Sequence, residues 1–272
     1  MAIPSLRTAF CRVARHLLRD WTKRQPSDWR ALQRELDLWS KRGRKLRFWW
    51  RDDDARTDTP ALGRLFDLAG RFDMPLALAV IPVGAEESLV RRLDREPRVR
   101  VLQHGWDHAN HAEPARPAEF GDSRDPAEVQ AQLSEGRRRL EKLFSSRFLP
   151  VLVPPFNRLS RHLDGAVADA GYCFISLHGD FAGLPMASRN PHLDVIDWEK
   201  NAAAEPEHLV RTALAAIKLR RYGLVSSRLP VGIVTHHLVH DEPVWDLVEE
   251  LLRRVRRHPA IEVPEIEQIF AA

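Results

Sequence analysis

The chain has 272 residues, of which 44% are hydrophobic and 29% charged, with a formal net charge of +4. That length fits one barrel-sized α/β domain with a full core, and the balance of apolar and charged residues excludes a disordered chain and a membrane-embedded one. The surplus positive charge sits in arginines spread along helical segments, such as Arg137-Arg138-Arg139 and Arg253-Arg254-Val255-Arg256-Arg257. No interleaved aromatics accompany them, so nucleic acid is not an expected partner.

Residues 1–45 have a helical pattern, with Leu17, Trp21, Trp29, Leu32, Leu36 and Trp39 near helical spacing and Ser27-Asp28 placed to cap a second helix. We read them as a helical extension, a lid or layer outside the main domain of residues 46–272. Arginines 7, 12, 15 and 19 interrupt the apolar residues of this start, so no signal-peptide core is expected. No stretch approaches the roughly 20 apolar residues of a membrane span. Cys11 and Cys173 suit two unpaired thiols in a reducing compartment. The expected location is cytoplasmic, with peripheral membrane contact by the amphipathic start as the alternative.

From residue 46 the pattern changes. Short apolar runs predict strands over 46–50, 76–81, 99–102, 148–153, 173–176, 193–196, 231–235 and 261–263. Amphipathic segments predict helices over 60–71, 86–96, 126–144, 160–170, 206–221 and 243–258, several with proline at or near the start. Such alternation predicts an α/β fold, a distorted (β/α) barrel of about seven parallel strands. The longest irregular stretch, 110–125, has the length of a functional loop.

Chemistry in such a barrel belongs at the C-terminal ends of its strands. Asp52-Asp53-Asp54 end the first run, and three adjacent anions beside a single Arg51 need a counter-charge that a divalent metal would supply. His104-Gly105-Trp106-Asp107-His108 follow the third run, Pro154-Pro155-Phe156-Asn157 the fourth, Asp197-Trp198 the sixth, and His236-His237 the seventh. Taken singly, each has a bland reading as a turn, a cap or a core histidine; their clustering at one face is what points to a site. His104 and His108, with Gly105 permitting a tight turn, and one oxygen of Asp54 make a two-nitrogen, one-carboxylate set suited to zinc, iron or cobalt. Asp53, not a ligand, is placed to take a proton from water, and a histidine of the seventh strand to supply an acid.

In order and approximate spacing these residues resemble the five motifs of the polysaccharide deacetylases, carbohydrate esterase family four, also called the NodB-homology family. The resemblance spans about residues 46–265. It implies removal of an N-acetyl or related acyl group from a carbohydrate or sugar-derived substrate by metal-activated water. The base then falls on Asp53, and the metal ligands on Asp54, His104 and His108. The acid falls on His236, with His237 as the alternative because alternation lets only one face inward. Pro155, Phe156, Asn157, Asp197 and Trp198 become substrate-binding residues, with Phe156 and Trp198 resembling the walls that receive the acetyl methyl. The implied cofactor is zinc, with cobalt, iron or nickel as alternatives.

The chain departs from the family at two places. The family's arginine before the Pro-Pro pair is Val153 here, leaving Arg51 or Arg158 to replace it. The first motif also carries an extra carboxylate, Asp52, expected on an outer or loop-facing side. Two other readings follow: hydrolysis of a small non-sugar amide on the same constellation, or a barrel without catalysis that binds glycan or protein. His111, His178, His192 and His240 are expected to be structural or surface residues, and Asp107 either orients an imidazole or faces solvent.

Overall fold

A computed structural model of the protein describes residues 20–179 and 186–271, so the expectations for Cys11, Leu17 and the arginine-rich start lie outside the described residues. Helix α1 (Trp29–Lys41) begins where the Asp28 carboxylate accepts the Ala31 N–H at 2.8 Å, and it buries Ala31, Leu32, Leu36 and Trp39. Then come β1 (Leu46–Ala55), α2 (Pro60–Arg71), β2 (Leu76–Val80), α3 (Glu87–Leu93), β3 (Val99–His104), α4 (Pro126–Phe144) and β4 (Phe148–Val153). A short α5 (Asp164–Asp169) precedes five two-residue strands: β5 (Phe174–Ile175), β6 (Ala187–Ser188), β7 (Leu193–Asp194), β8 (Ile196–Asp197) and β9 (Ala202–Ala203). The chain ends with α6 (Pro206–Arg221), β10 (Val231–Thr235), α7 (Glu242–Val255), β11 (Ile261–Glu262) and α8 (Ile266–Ile269). Thr59, Asp125 and Asp241 cap α2, α4 and α7 with side-chain oxygens, each with proline in the first turn behind it.

The main sheet runs β6-β5-β4-β3-β2-β1-β10-β7 with parallel neighbours throughout, and β11 pairs with the start of β1. It curls into an open half-barrel with helices on its outer side, the distorted (β/α) barrel the sequence predicts. Two local expectations change. The strand predicted over 193–196 divides, because the Asp194 carboxylate accepts the Ile196 N–H at 3.0 Å and turns the chain, so β7 joins β10 while β8 pairs antiparallel with β9. Strand β6 has no counterpart in the sequence reading; Ala187 and Ser188 carry no apolar signal.

Alternation gives each strand two buried faces. On the outer face Leu46, Phe48, Trp50, Leu76, Leu78, Val231 and Ile233 meet the helices, and the buried residues of α1 join the same core. Helix α1 lies against α6, where Glu35 takes a bidentate bond from Arg221, and it supplies none of the walls of the cavity described below. On the inner face Trp49, Ala77, Ala79, Leu102, Val151 and Val153 meet Ile266, Ile269 and Phe270 of the C-terminal segment. Trp49 fits there because its neighbour on β10 is Gly232, whose missing Cβ would lie 2.3 Å from the indole nitrogen. The indole meets Phe270 edge-on at 5.5 Å. The barrel floor is therefore packed shut, and the chain's reactive residues gather at the opposite end.

Asp52 continues the outer face, as expected, but is fully buried. It accepts from the Thr235 hydroxyl at 2.6 Å, the His237 N–H at 3.1 Å and the His237 ring at 2.5 Å. Trp50 in turn donates to Thr235 at 2.8 Å. Asp52→Ala leaves this buried histidine without its carboxylate, so we expect about 3–5 kcal/mol lower stability by urea denaturation. A loss below about 1 kcal/mol would show that the network does not hold β1 to β10.

Candidate active site

Strand β1 runs on through the acidic triplet instead of stopping at Trp50. Its register against β2 shifts between Asp52 and Ala55, and Asp54 has φ +74°. Regular alternation would send Asp53 and Asp54 to opposite faces; this bulge turns Asp54 back, so both line one cavity.

The Asp54 carboxylate oxygen Oδ1 lies 3.0 Å from His104 Nε2 and 3.3 Å from His108 Nε2. The three ligating atoms all fall within 4.8 Å of one another. His104 Nδ1 sits 2.9 Å from the Val153 carbonyl, which can only accept, so Nδ1 carries a proton and Nε2 is the nitrogen turned toward Asp54, whose charge raises the basicity of this buried ring. Asp54 Oδ1 is buried and faces these two imidazole nitrogens. With Nε2 deprotonated, the two facing lone pairs at 3.0 Å call for a cation between them, the arrangement of a metal-ligand set. Ligands about 2.1 Å from one ion, at angles from square to tetrahedral, lie about 3.0–3.4 Å apart, so the donor set fits a divalent metal of the zinc type. Burial opposes charge on Asp54, but His104, His236 and His108 outweigh it and hold the carboxyl well below the usual carboxylate range. His108, at φ +63°, packs its ring on Phe156 at 4.6 Å, and burial, with His104 nearby, lowers its basicity.

Asp53 is buried and paired. Arg51 reaches it from two residues earlier on the same face, with Nε donating to Oδ1 at 2.8 Å and Nη2 to Oδ2 at 2.9 Å. The remaining guanidinium nitrogen donates to the Ser176 carbonyl and hydroxyl and to the Leu177 carbonyl, at 2.7–3.0 Å. Of the two arginines considered in place of Val153, Arg51 makes the contact, whereas Arg158 donates to the Pro117 carbonyl at 2.8 Å. Val153 contributes its carbonyl, which accepts from His104 and, at 3.1 Å, from the Gly105 N–H.

From the end of the neighbouring strand β10, His236 places Nε2 3.8 Å from Asp53 Oδ2. Its backbone N–H donates to His240 Nε2 at 3.3 Å, and burial, aided by His236, His237 and Arg64, pushes His240 down to about 3, so its ring is neutral and free to accept. His237, the alternative acid, points the other way: it is 1% exposed, bonded to Asp52, and does not line the cavity. Strand alternation separates the two.

The cavity, about 570 Å³, has Pro117, Pro154, Phe156, Asn157, Trp198 and Val234 among its walls. Trp198 is 53% exposed, yet fixed: its indole N–H donates to Asp194 at 2.9 Å, and the ring stands edge-on to His236 at 4.7 Å. Two expected substrate contacts fall elsewhere. Pro155 is buried behind the turn, against Gly105. Asp197 accepts from the Glu199 and Lys200 N–H groups and lines a neighbouring cavity of about 540 Å³. Asp194, His178 and Trp198 wall both cavities. Asp194 went unnoticed in the sequence, although it stands three residues before Asp197, and His178 was expected to be structural. Asp107 neither contacts an imidazole nor faces solvent freely; it accepts the Ala109 N–H at 3.0 Å.

No protein-family model matches this chain, and no curated sequence matches it. Solved structures do. A family 4 carbohydrate esterase from Streptomyces lividans in complex with acetate aligns with TM-score 0.54 and 13% identity over 82% of this chain and 94% of that one. A family 4 acetyl xylan esterase from Clostridium thermocellum in complex with a cobalt ion aligns at 0.52 and 14%, over 82% and 89%. BA3943 from Bacillus anthracis, a pseudoenzyme of the same family, aligns at 0.54 and 14%, over 84% and 66%. The fold is that of the carbohydrate esterase family four deacetylases. At these identities the likeness concerns the fold.

Gly105, between the two histidines, has φ +61°, and a Cβ there would fall 1.9 Å from Glu119 Oε2 and 2.6 Å from Pro155 Cγ. Gly105→Ala therefore combines backbone strain with overpacking, and we expect about 3 kcal/mol lower stability by urea denaturation. A loss under about 0.5 kcal/mol would mean that this loop does not run between Glu119 and Pro155.

Proposed function

We propose that this chain is a metal-dependent hydrolase that removes an N-acetyl or related acyl group from a carbohydrate or sugar-derived substrate. The observation that carries the reading is the convergence of Asp54, His104 and His108 on one point, beside a guanidinium-anchored Asp53 and with His236 close by. Asp54, His104 and His108 would hold the metal, zinc in the first instance. Such an ion supplies Lewis acidity toward an amide carbonyl and makes water acidic enough to lose a proton near neutral pH.

Asp53 is the base in this reading. Each of its oxygens spends one lone pair on Arg51 and keeps a second for the proton of an attacking water. The Arg51 fork fixes the carboxylate plane, so the second lone pairs point in set directions. His236 lines the same cavity 3.8 Å from Asp53, where it can protonate the departing amine. Phe156 and Trp198 form apolar walls suited to the acyl methyl, and Asn157 is tied to the opposite wall through the His178 N–H at 2.7 Å. Asp194 holds the Trp198 indole and lines the cavity, where Asp197 was expected as a substrate-binding residue. The missing arginine at Val153 was the one feature favouring a barrel without catalysis, and the Arg51–Asp53 pair removes that argument. A small non-sugar amide fits the same chemistry, so substrate class is decided by assay.

Asp53→Asn and His236→Ala should each lower acetate release from N-acetylated oligosaccharides by about 10²–10⁴-fold while elemental analysis still finds one metal per chain. His104→Ala should lose the metal. Undiminished turnover in purified Asp53→Asn would refute the assignment of the base. Turnover of small linear or cyclic amides alone would move the substrate to the non-sugar class.

A further inference from the structure

Glu119 lies eleven residues beyond His108, in the long loop after β3, and has no part in the chemistry above. Its side chain is fully buried although it carries a carboxyl group. Oε1 accepts the backbone N–H groups of Trp106 at 2.8 Å and Asp107 at 3.1 Å. Those two donors lie between the metal-ligand histidines, and in a tight turn of this kind they have no other backbone partner to reach. Oε2 occupies the notch that the absent side chain of Gly105 leaves open. The segment 104–108 thus curls around a single carboxyl group, one oxygen of which accepts from two successive backbone N–H groups.

Glu119 is itself held. The Asn110 side chain accepts from Ala112 and Ala118 at 3.0 Å each, closing the loop on itself, and the His111 N–H donates to the Ala118 carbonyl at 2.9 Å. Phe120 bridges Leu159, and its carbonyl accepts the Ser160 N–H at 2.9 Å. A rigid outer loop therefore presents one acceptor to the inner loop that carries both imidazoles.

We propose that Glu119 is the positioning residue for the metal centre: its carboxylate sets the curvature of residues 104–108, and with it the separation and aim of the His104 and His108 nitrogens. It is not one of the three groups that converge on the ion position. It acts through the backbone, where metal sites more commonly use a carboxylate bonded to the ligand's other ring nitrogen. This inference rests on the metal-site reading above.

The test measures Co²⁺ affinity by calorimetry on folded, metal-free protein, with the folded fraction of each variant checked by circular dichroism. Glu119→Ala should bind Co²⁺ about 10–100-fold more weakly than wild type, the usual cost of removing a group that orients ligands. Glu119→Gln keeps a carbonyl oxygen that accepts both N–H groups and should stay within a few-fold of wild type. Glu119→Asp, whose shorter arm withdraws the oxygen, should resemble the alanine variant, and it carries the test if Glu119→Ala does not fold. Unchanged Co²⁺ affinity in folded Glu119→Ala or Glu119→Asp, even with lowered thermal stability, would reduce Glu119 to a structural residue. A Gln variant as weak as the Ala variant would also overturn the proposal. Wild-type protein that takes up no Co²⁺ overturns the metal reading and this inference together, which separates the two failures.

Discussion

The site depends on one irregularity in one strand. Adjacent residues of a regular strand face opposite ways, so a base and a metal ligand at consecutive positions share a cavity only if the backbone breaks step between them. Strand β1 does so at Asp54, with φ +74° and a shift of register against β2. A non-glycine residue in that region costs about 1–3 kcal/mol and persists only where its surroundings impose it. Of the seven non-glycine residues with positive φ among the described residues, Asp54, His108, Phe156 and Asn157 belong to this site. Strain is concentrated where the ligands and the cavity wall are aimed.

The same bulge sorts the charges of the acidic triplet. Asp52 is matched by His237, whose basicity burial would lower but Asp52 raises. Asp53 is matched by Arg51 in a two-point fork. Asp54 faces two imidazoles, one of them turned toward it by the Val153 carbonyl. Three neighbouring anions have little counter-charge in the local sequence; in the folded chain Asp52 and Asp53 are hydrogen-bonded to His237 and Arg51, and Asp54 faces only the imidazoles of the ligand set. That is the position where an added cation does the most electrostatic good.

Much of this was legible because it follows from period and local chemistry. Apolar runs of three to six residues located the strands of the main sheet except β6, and proline marked the starts of α2 and α4. Alternation implied that only one of His236 and His237 faces the cavity, and the bond from His237 to Asp52 decides which. What escaped reading has contacts that are distant in sequence or depend on a bend. The Asp194 side chain turns the chain after β7, which moved Asp197 into the neighbouring cavity and left Asp194 in the wall. Glu119 is one acidic residue in a polar loop, and nothing nearby signals that it will be buried beneath Gly105. Arg51 was a candidate by proximity, and only the inner-face geometry of β1 chose it over Arg158.

Register explains why β1 and β10 carry so much of the function. Asp52 lies opposite Thr235 in this parallel pair. On the outer face that alignment builds the Trp50–Thr235–Asp52–His237 chain, and on the inner face it sets His236 across from Asp53. A slip by one residue would exchange the faces, placing His237 in the cavity and His236 under the helices, and would strand the Asp52 carboxylate without donors. The buried polar chain therefore excludes the misregistered pairing as well as joining two strands. Its location, back to back with the acid–base pair across a single sheet, makes the register that satisfies the buried carboxylate the one that assembles the site.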